Sequence, residues 1–563
     1  MNIIIKELEN LDKFSEYITE VKNKISPIVL SGLSSAGKIQ LIEASKQYSN
    51  KNICIITYNE IQAKNIVKDL KYFSNNVVYF PKREIASYDY VAESKDLPYE
   101  RIDTLNKIFE QEKNKRSNLI VVTTIESLMQ KMISREEIYK TTLEFEVGKT
   151  FEQEELKTAL IQLGYERSDI VEGKGQFVIR GGIVDIGISN TQGVRIEFWG
   201  DEVDSIRSFS LTSQRSNKMQ DKAVIYPSHE LIVTKSLEKV CKQIEKRLEN
   251  EENDEIRQNI SQDLELIKSG DYISKIDKYF NCFYDTQNTL LDYLNDKYLL
   301  FIDSIDKINA RQENILKDNT QLMENLLDKN RVIPDSIKNI EKIDVEEIEN
   351  KQLIYLYETD LLTSNDKIKF SNHIYNFKYR DIHFFKSELK ILTDEVKKAQ
   401  EQKKKIIILA GNESGAKKIE ELLNQEEIKY KYSEKLDDQE PLIYKNSIEQ
   451  ELEAGYVIIS NGTLSSGFEN YDLNLIVITS EDFIGNENRK KRHSDAFRRG
   501  EKVVFADLHA GDYVVHKTQG IGIYVGVNTI TTADGVTKDY IKIKYKNDDS
   551  LYVPTDMLDN IRK

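Results

Sequence analysis

The chain has 563 residues, 39% hydrophobic and 31% charged, a size and balance that predict a soluble globular protein of several separately cored domains. A net charge of −15 argues against a surface devoted uniformly to nucleic acid. The three cysteines, Cys54, Cys241 and Cys282, lack metal-ligand spacing, and no apolar run reaches membrane-spanning length or follows a basic N-terminal flank. A cytoplasmic protein with no membrane partner and no bound metal is expected.

The first segment alternates strand and helix. Ile28–Leu30 is a short apolar strand, and a glycine loop leads into a helix from about Lys38. Ile53–Thr57 is the next strand, followed by an amphipathic helix through Ile61, Val67 and Phe73; Val77–Phe80 and Leu119–Thr123 add further strands. These elements predict a parallel sheet covered by helices. From Leu143 to about Pro227 the pattern changes to closely spaced strands at Gly175–Arg180, Gly182–Ile186, Gly193–Phe198 and Ser205–Ser210, an antiparallel insert. A charged helical stretch covers Lys235–Tyr279, and Tyr298–Asp303 returns to the parallel type. A second α/β unit begins near Phe377, with strands Lys405–Ala410, Tyr456–Ser460 and Leu475–Thr479. Arg489–Lys502 is basic and polar; it reads as a solvated linker, with contact to DNA phosphates as the alternative. The last segment, Leu508–Ile561, has short Val/Ile/Tyr runs broken by glycines and an Asp534-Gly535 turn, the pattern of a small bent β-barrel without catalytic groups.

Two motifs carry the chemistry. Gly32-Leu33-Ser34-Ser35-Ala36-Gly37-Lys38-Ile39 lies between strand and helix, where a phosphate-binding loop belongs. Gly32, Gly37 and Lys38 fit that spacing, but Ile39 stands where a Ser or Thr hydroxyl would bind Mg²⁺. In Leu299-Leu300-Phe301-Ile302-Asp303-Ser304, Asp303 matches the metal-bearing Asp of a nucleotide site, while Ser304 replaces the Glu that would activate water. Two near-matches that each lack a catalytic residue predict a retired nucleotide lobe, with an ordinary structural loop as the alternative. No catalytic residue is assigned, and no cofactor is expected on this chain. Gly411–Lys417 has the wrong glycine spacing and reads as a plain strand–helix turn.

In the insert, alternation along Gly193–Trp199 places Val194, Ile196 and Phe198 on one face and Arg195, Glu197 and Trp199 on the other. The first set is expected to pack. The second carries the only tryptophan beside an arginine, a pairing enriched at contact hot spots. A second buried face or a solvated edge remains an equal alternative.

These residues resemble a known family. The order of elements, the run "RGGIVDI…RIEFWGDEVDSIRSF", "SQRS" at Ser213–Ser216 and the terminal "VVHKTQGIGIYVGV…LYVP" are together similar to the N-terminal part of the bacterial transcription-repair coupling factors (Mfd). The resemblance implies a multi-domain α/β protein with degenerate UvrB-like, helicase-type parallel lobes, an antiparallel α+β insert and a CarD/Tudor-like β-barrel. It implies boundaries at 1–142, 143–230, 231–376, 377–485, 486–504 and 505–563. The insert would bind UvrA through Arg180, Arg195 and Trp199. The terminal domain would pair a strand edge carrying Val527, Thr529, Ile530 and Thr531 with the β subunit of RNA polymerase. ATP, Mg²⁺ and the main grip on double-stranded DNA would belong to motor domains that follow in the family and are expected to be missing here. Two departures are visible: Tyr88–Tyr99 leaves no room for UvrB's DNA-inserting hairpin, and the sequence stops at Lys563. A UvrB-type excision ATPase and a CarD-like transcription regulator are the alternatives.

Overall fold

The computed structural model describes residues 2–83, 96–228, 230, 232, 236–249, 251, 253–269, 278–284, 287–328, 330, 340–345, 348, 350–358, 373–382, 389–436, 454–480, 512–516, 520–531, 537–544, 550–554 and 561–562. The Tyr88–Tyr90 stretch, the basic Arg489–Lys502 segment and the Asp534-Gly535 turn lie outside them.

Four apolar runs of the first 124 residues and three from residues 298–376 form one seven-stranded sheet, ordered Ile374–Asn376, Ile28–Ser31, Gln352–Leu356, Tyr298–Asp303, Asn52–Thr57, Ile120–Thr124 and Val77–Phe80. Every neighbouring pair is parallel. Such strands are buried on both faces, which is why they read as continuous hydrophobic runs rather than alternating ones. Helices Leu237–Leu248 and Asp254–Ser269 come from the charged stretch. Each hides an apolar stripe, with Val240, Cys241, Ile244, Ile260, Leu264 and Ile267 joining the core of the first sheet.

The second α/β unit holds a six-stranded mixed sheet ordered Tyr379–Ile382, Gly467–Asn470, Leu475–Thr479, Lys405–Leu409, Val457–Ser460 and Tyr430–Ser433. It does not stand apart. Ile407, Leu409, Phe468 and Val477 share one core with Ile28, Leu30, Ile39 and Leu41 of the first unit. Helix Ser35–Ser49 lies in this shared core and is buried along Ala36–Lys46. Its polar residues find partners there: the Tyr379 hydroxyl donates to Gln40 Oε1 at 2.6 Å, and Lys46 pairs with Glu43 at 2.7 Å. Gly411–Lys417 is an ordinary strand–helix turn, with the Asn412 side chain capping helix Glu413–Gln425.

The insert is a six-stranded sheet ordered Ser216–Gln220, Glu202–Ser210, Gln192–Trp199, Ile183–Gly187, Gln176–Arg180 and Glu166–Arg167, antiparallel except for the last pair. Leu156, Leu160 and Leu163, in and just after helix Gln153–Gln162, cover the face formed by Phe177, Val184, Ile186, Val194, Ile196 and Phe198. Two ion pairs, the first buried and the second half-exposed at Asp103, tie the insert region to the first unit. Arg101 Nε donates to Glu230 at 2.7 Å, and Lys174 pairs with Asp103. Burial alone would raise the Glu230 carboxyl, but the Arg101 and Arg83 guanidinium groups hold it below the usual carboxylate range. The C-terminal segment forms a five-stranded antiparallel sheet ordered Ser550–Pro554, Thr537–Lys544, Gly520–Thr531, Tyr513–His516 and Ile561–Arg562. Among the described residues, no helix is long and apolar enough to cross a membrane.

Candidate functional site

The glycine loop follows strand Ile28–Ser31 and opens helix Ser35–Ser49, the position the sequence predicts. Several of its N–H donors are spent within the chain. The Leu33 N–H donates to the Tyr357 carbonyl at 3.2 Å. The Ser35 N–H faces the Asp381 carboxylate at 3.2 and 3.4 Å, and the Gly37 N–H is capped by the Ser34 hydroxyl at 3.0 Å. A carboxylate from the second unit thus sits at the positive end of the helix, where an anion is stabilised. Lys38 Nζ, 3% exposed, reaches Asp303 at 2.6 Å and Glu358 at 2.9 Å. Burial pulls this ammonium down, yet the two carboxylates outweigh it and hold the group above the ordinary lysine value. Asp303 also accepts from the Thr57 hydroxyl at 3.1 Å. Ile39 is buried in the shared core, so the position reserved for a metal-binding hydroxyl is a packing position.

The glycines themselves have a second explanation. A Cβ on Gly32 would lie 2.0 Å from the Phe377 carbonyl oxygen, and one on Gly37 would lie 2.6 Å from the Tyr379 ring. Close approach of Phe377–Tyr379 therefore requires both, whether or not a phosphate ever binds. The donor set does not fit Mg²⁺-nucleotide. Among the described residues, no group of three or more His, Cys, Asp or Glu side chains could hold a metal ion. Glu358, Tyr379 and Asp381 were not singled out in the sequence, since no motif spacing links them to Gly32–Lys38.

On the insert, the structure keeps the predicted alternation. Val194, Ile196 and Phe198 are buried, and Trp199 is 84% exposed. The second face is therefore open at the Trp199 end. Its middle is covered: Arg195 lies 5.0 Å over the buried Phe209 ring, and Val171, Val178 and Leu211 complete a small cluster. Arg195 grips Asp185 with two bonds, Nε to Oδ1 at 2.6 Å and Nη2 to Oδ2 at 2.9 Å. That hydrogen bonding raises the guanidinium pKa further. Two of its N–H groups are thus committed within the sheet, and it acts as a strut. Arg180 is exposed and donates to the Asp169 carbonyl at 2.9 Å. Arg180 and Trp199 occupy the same end of the sheet, because hairpin turns at Gly181-Gly182 and Gly200-Asp201 both close there. The Gly181 φ of 58° and Gly200 φ of 63° suit those turns.

Val527, Thr529, Ile530 and Thr531 lie on strand Gly520–Thr531, opposite Ile541, Asp539, Lys538 and Thr537 respectively. On the strand's other side, Tyr513–His516 reaches only Gly520–Ile523. Among the described residues, no strand pairs that second edge along Val525–Thr531.

Two stretches match described domain classes. Residues 143–231 match the UvrB interaction domain, and residues 508–563 match the CarD-like/TRCF RID domain. Along its length the chain is similar to proteins named transcription-repair-coupling factor. It is 29% identical to that of Bacillus subtilis over 570 residues, covering 99% of this chain and 46% of the relative. For Staphylococcus aureus the identity is 26% over 576 residues, covering 100% of this chain and 47% of the relative. For Staphylococcus epidermidis it is 27% over 551 residues, covering 95% and 45%. The resemblance read from the motifs therefore holds over the whole chain, which spans about half the length of the curated relatives it matches.

Proposed function

We propose that this chain is a contact platform of transcription-coupled DNA repair: the antiparallel insert binds UvrA, the C-terminal sheet binds the β subunit of RNA polymerase, and the α/β units hold the two in place without nucleotide. The observation that carries this reading is the solvent-exposed Trp199 at the same end of the insert sheet as the exposed Arg180, within the stretch that matches the UvrB interaction domain. Exposed aromatic and arginine side chains on a preorganised surface are the usual energetic anchors of protein contacts. The engagement of Lys38 by Asp303 and Glu358, and of the Leu33, Ser35 and Gly37 N–H groups within the chain, supports a scaffold over a UvrB-type ATPase, and the extent of the α/β units argues against a purely CarD-like regulator. In this reading ATP-driven release of polymerase and most contact with double-stranded DNA come from motor domains outside these residues.

Replacing both Arg195 and Trp199 by alanine is expected to weaken UvrA binding by about thirty-fold or more, the effect of losing a hot spot and its support. Titration of UvrA against the purified chain measures this. Unchanged affinity in a folded double variant would remove the UvrA assignment.

A further inference from the structure

Large apolar side chains on the open face of the insert sheet are unevenly placed. Trp199 is 84% exposed, Met219 65% and Ile183 40%, while the opposite face is buried beneath helix Gln153–Gln162. The register settles which of them can act together. Ile183 pairs directly with Glu197 on one side and with Arg180 on the other. Trp199 is two residues beyond Glu197, so Ile183 is its diagonal neighbour, about 7–8 Å away and within reach of a large ring. Met219 stands opposite Arg207 on the edge strand, three strands from Ile183. At ~4.8 Å per strand, that separation of about 14 Å puts it outside the cluster. Glu197, between the two groups, is engaged by the Ser205 hydroxyl at 2.7 Å and Arg207 at 3.0 Å.

We infer that Ile183 is a third anchor of the UvrA-binding surface, forming with Trp199 and Arg180 a patch that takes an apolar pocket bordered by an acidic or carbonyl group. The inference rests on the UvrA reading above and adds a residue to it. Several features locate the patch. The Gly181-Gly182 turn delivers Ile183 outward, with Val184 and Ile186 in the core. A Cβ on Gly182 would approach the Phe198 carbonyl oxygen to 2.7 Å, so this turn is pressed against the strand that ends in Trp199. Arg195, bonded twice to Asp185, holds the neighbouring pair of residues still and leaves the contact to the three side chains beyond it. An aliphatic and an aromatic group flanked by one arginine, on a backbone already ordered, form a compact low-entropy hot spot.

The test is UvrA titration against the full chain carrying Ile183→Lys, Ile183→Met or Trp199→Ala, with thermal unfolding as the check on folding. Ile183→Lys is expected to weaken binding at least about tenfold with an unchanged unfolding midpoint, and Ile183→Met to stay within about threefold of wild type. If Trp199→Ala loses binding and Ile183→Lys does not, the third anchor is wrong and the UvrA reading stands. If both variants bind UvrA as wild type does, the UvrA reading itself fails and the inference falls with it. A concentration-dependent dimer of the chain, abolished by Ile183→Lys while UvrA binding persists, would assign the patch to a second copy and overturn the proposal.

Discussion

A Lys38→Met chain is expected to unfold about 3–5 kcal/mol more easily than wild type, because it leaves a buried carboxylate without its counter-charge. In a working phosphate loop the lysine waits for a ligand, and replacing it chiefly costs binding. Here Lys38 bridges Asp303, which is 1% exposed, and Glu358, which is 48% exposed. The Glu358 arm, half in solvent, contributes little. The Asp303 arm dominates, and after the substitution Asp303 retains chiefly the Thr57 hydroxyl at 3.1 Å. The double replacement Lys38→Met with Asp303→Leu should recover most of the loss, since a buried pair exchanged for apolar groups is often neutral. The pH dependence has a defined sign. The folded-state pKa of Lys38 lies above its unfolded value, so the lysine's contribution is complete once pH is below its unfolded value, while the carboxylates stay ionised, and fades as pH rises through the folded value. Urea unfolding of the three chains decides the matter, and a cost below about 1 kcal/mol for Lys38→Met would mean that the loop is not held by this network.

An Ile530→Arg chain is expected to lose binding to the polymerase β subunit by more than about thirty-fold, with the rest of the chain unaffected. Strand addition draws affinity from main-chain hydrogen bonds and selectivity from alternate side chains along the added edge. The strand Gly520–Thr531 outruns its neighbour Tyr513–His516, which pairs with it only at Gly520–Ile523. Its second half is held from one side by Thr537–Lys544, through the pairs Val527–Ile541 to Thr531–Thr537. Among the described residues, that leaves the Val525–Thr531 edge available for a further strand, and Ile530 lies near its end. Pull-down of polymerase by the variant at the wild-type level would place the docking surface elsewhere.

How much of this was legible beforehand follows from the kind of interaction involved. Strand Tyr298–Asp303 was readable to the residue, because a doubly buried parallel strand is a continuous apolar run with sharp polar ends. The inward set Val194, Ile196 and Phe198 was readable from period-two alternation. Alternation could not decide whether the Trp199 face was covered, since that depends on which element packs above it. The packing of helix Ser35–Ser49 was also hidden. Its mixed sequence shows no clean apolar stripe, and its burial follows from the second α/β unit closing over it. Asp381 and Tyr379 reach the phosphate loop from the second α/β unit, 346 residues from Ser35 in the case of Asp381. No spacing rule encodes such a contact. The retained glycines mislead for the same reason: Gly32 and Gly37 keep the appearance of a nucleotide loop while serving the approach of Phe377 and Tyr379.

On the proposed reading, this chain joins two partners by contact alone. The most direct measurement mixes the purified chain with UvrA and RNA polymerase, without nucleotide, and weighs the complexes formed in solution. A ternary complex that forms without nucleotide, and that loses UvrA with Trp199→Ala but polymerase with Ile530→Arg, is the predicted result. Mutually exclusive binding of the two partners, or binding of either that requires nucleotide on this chain, would contradict the account.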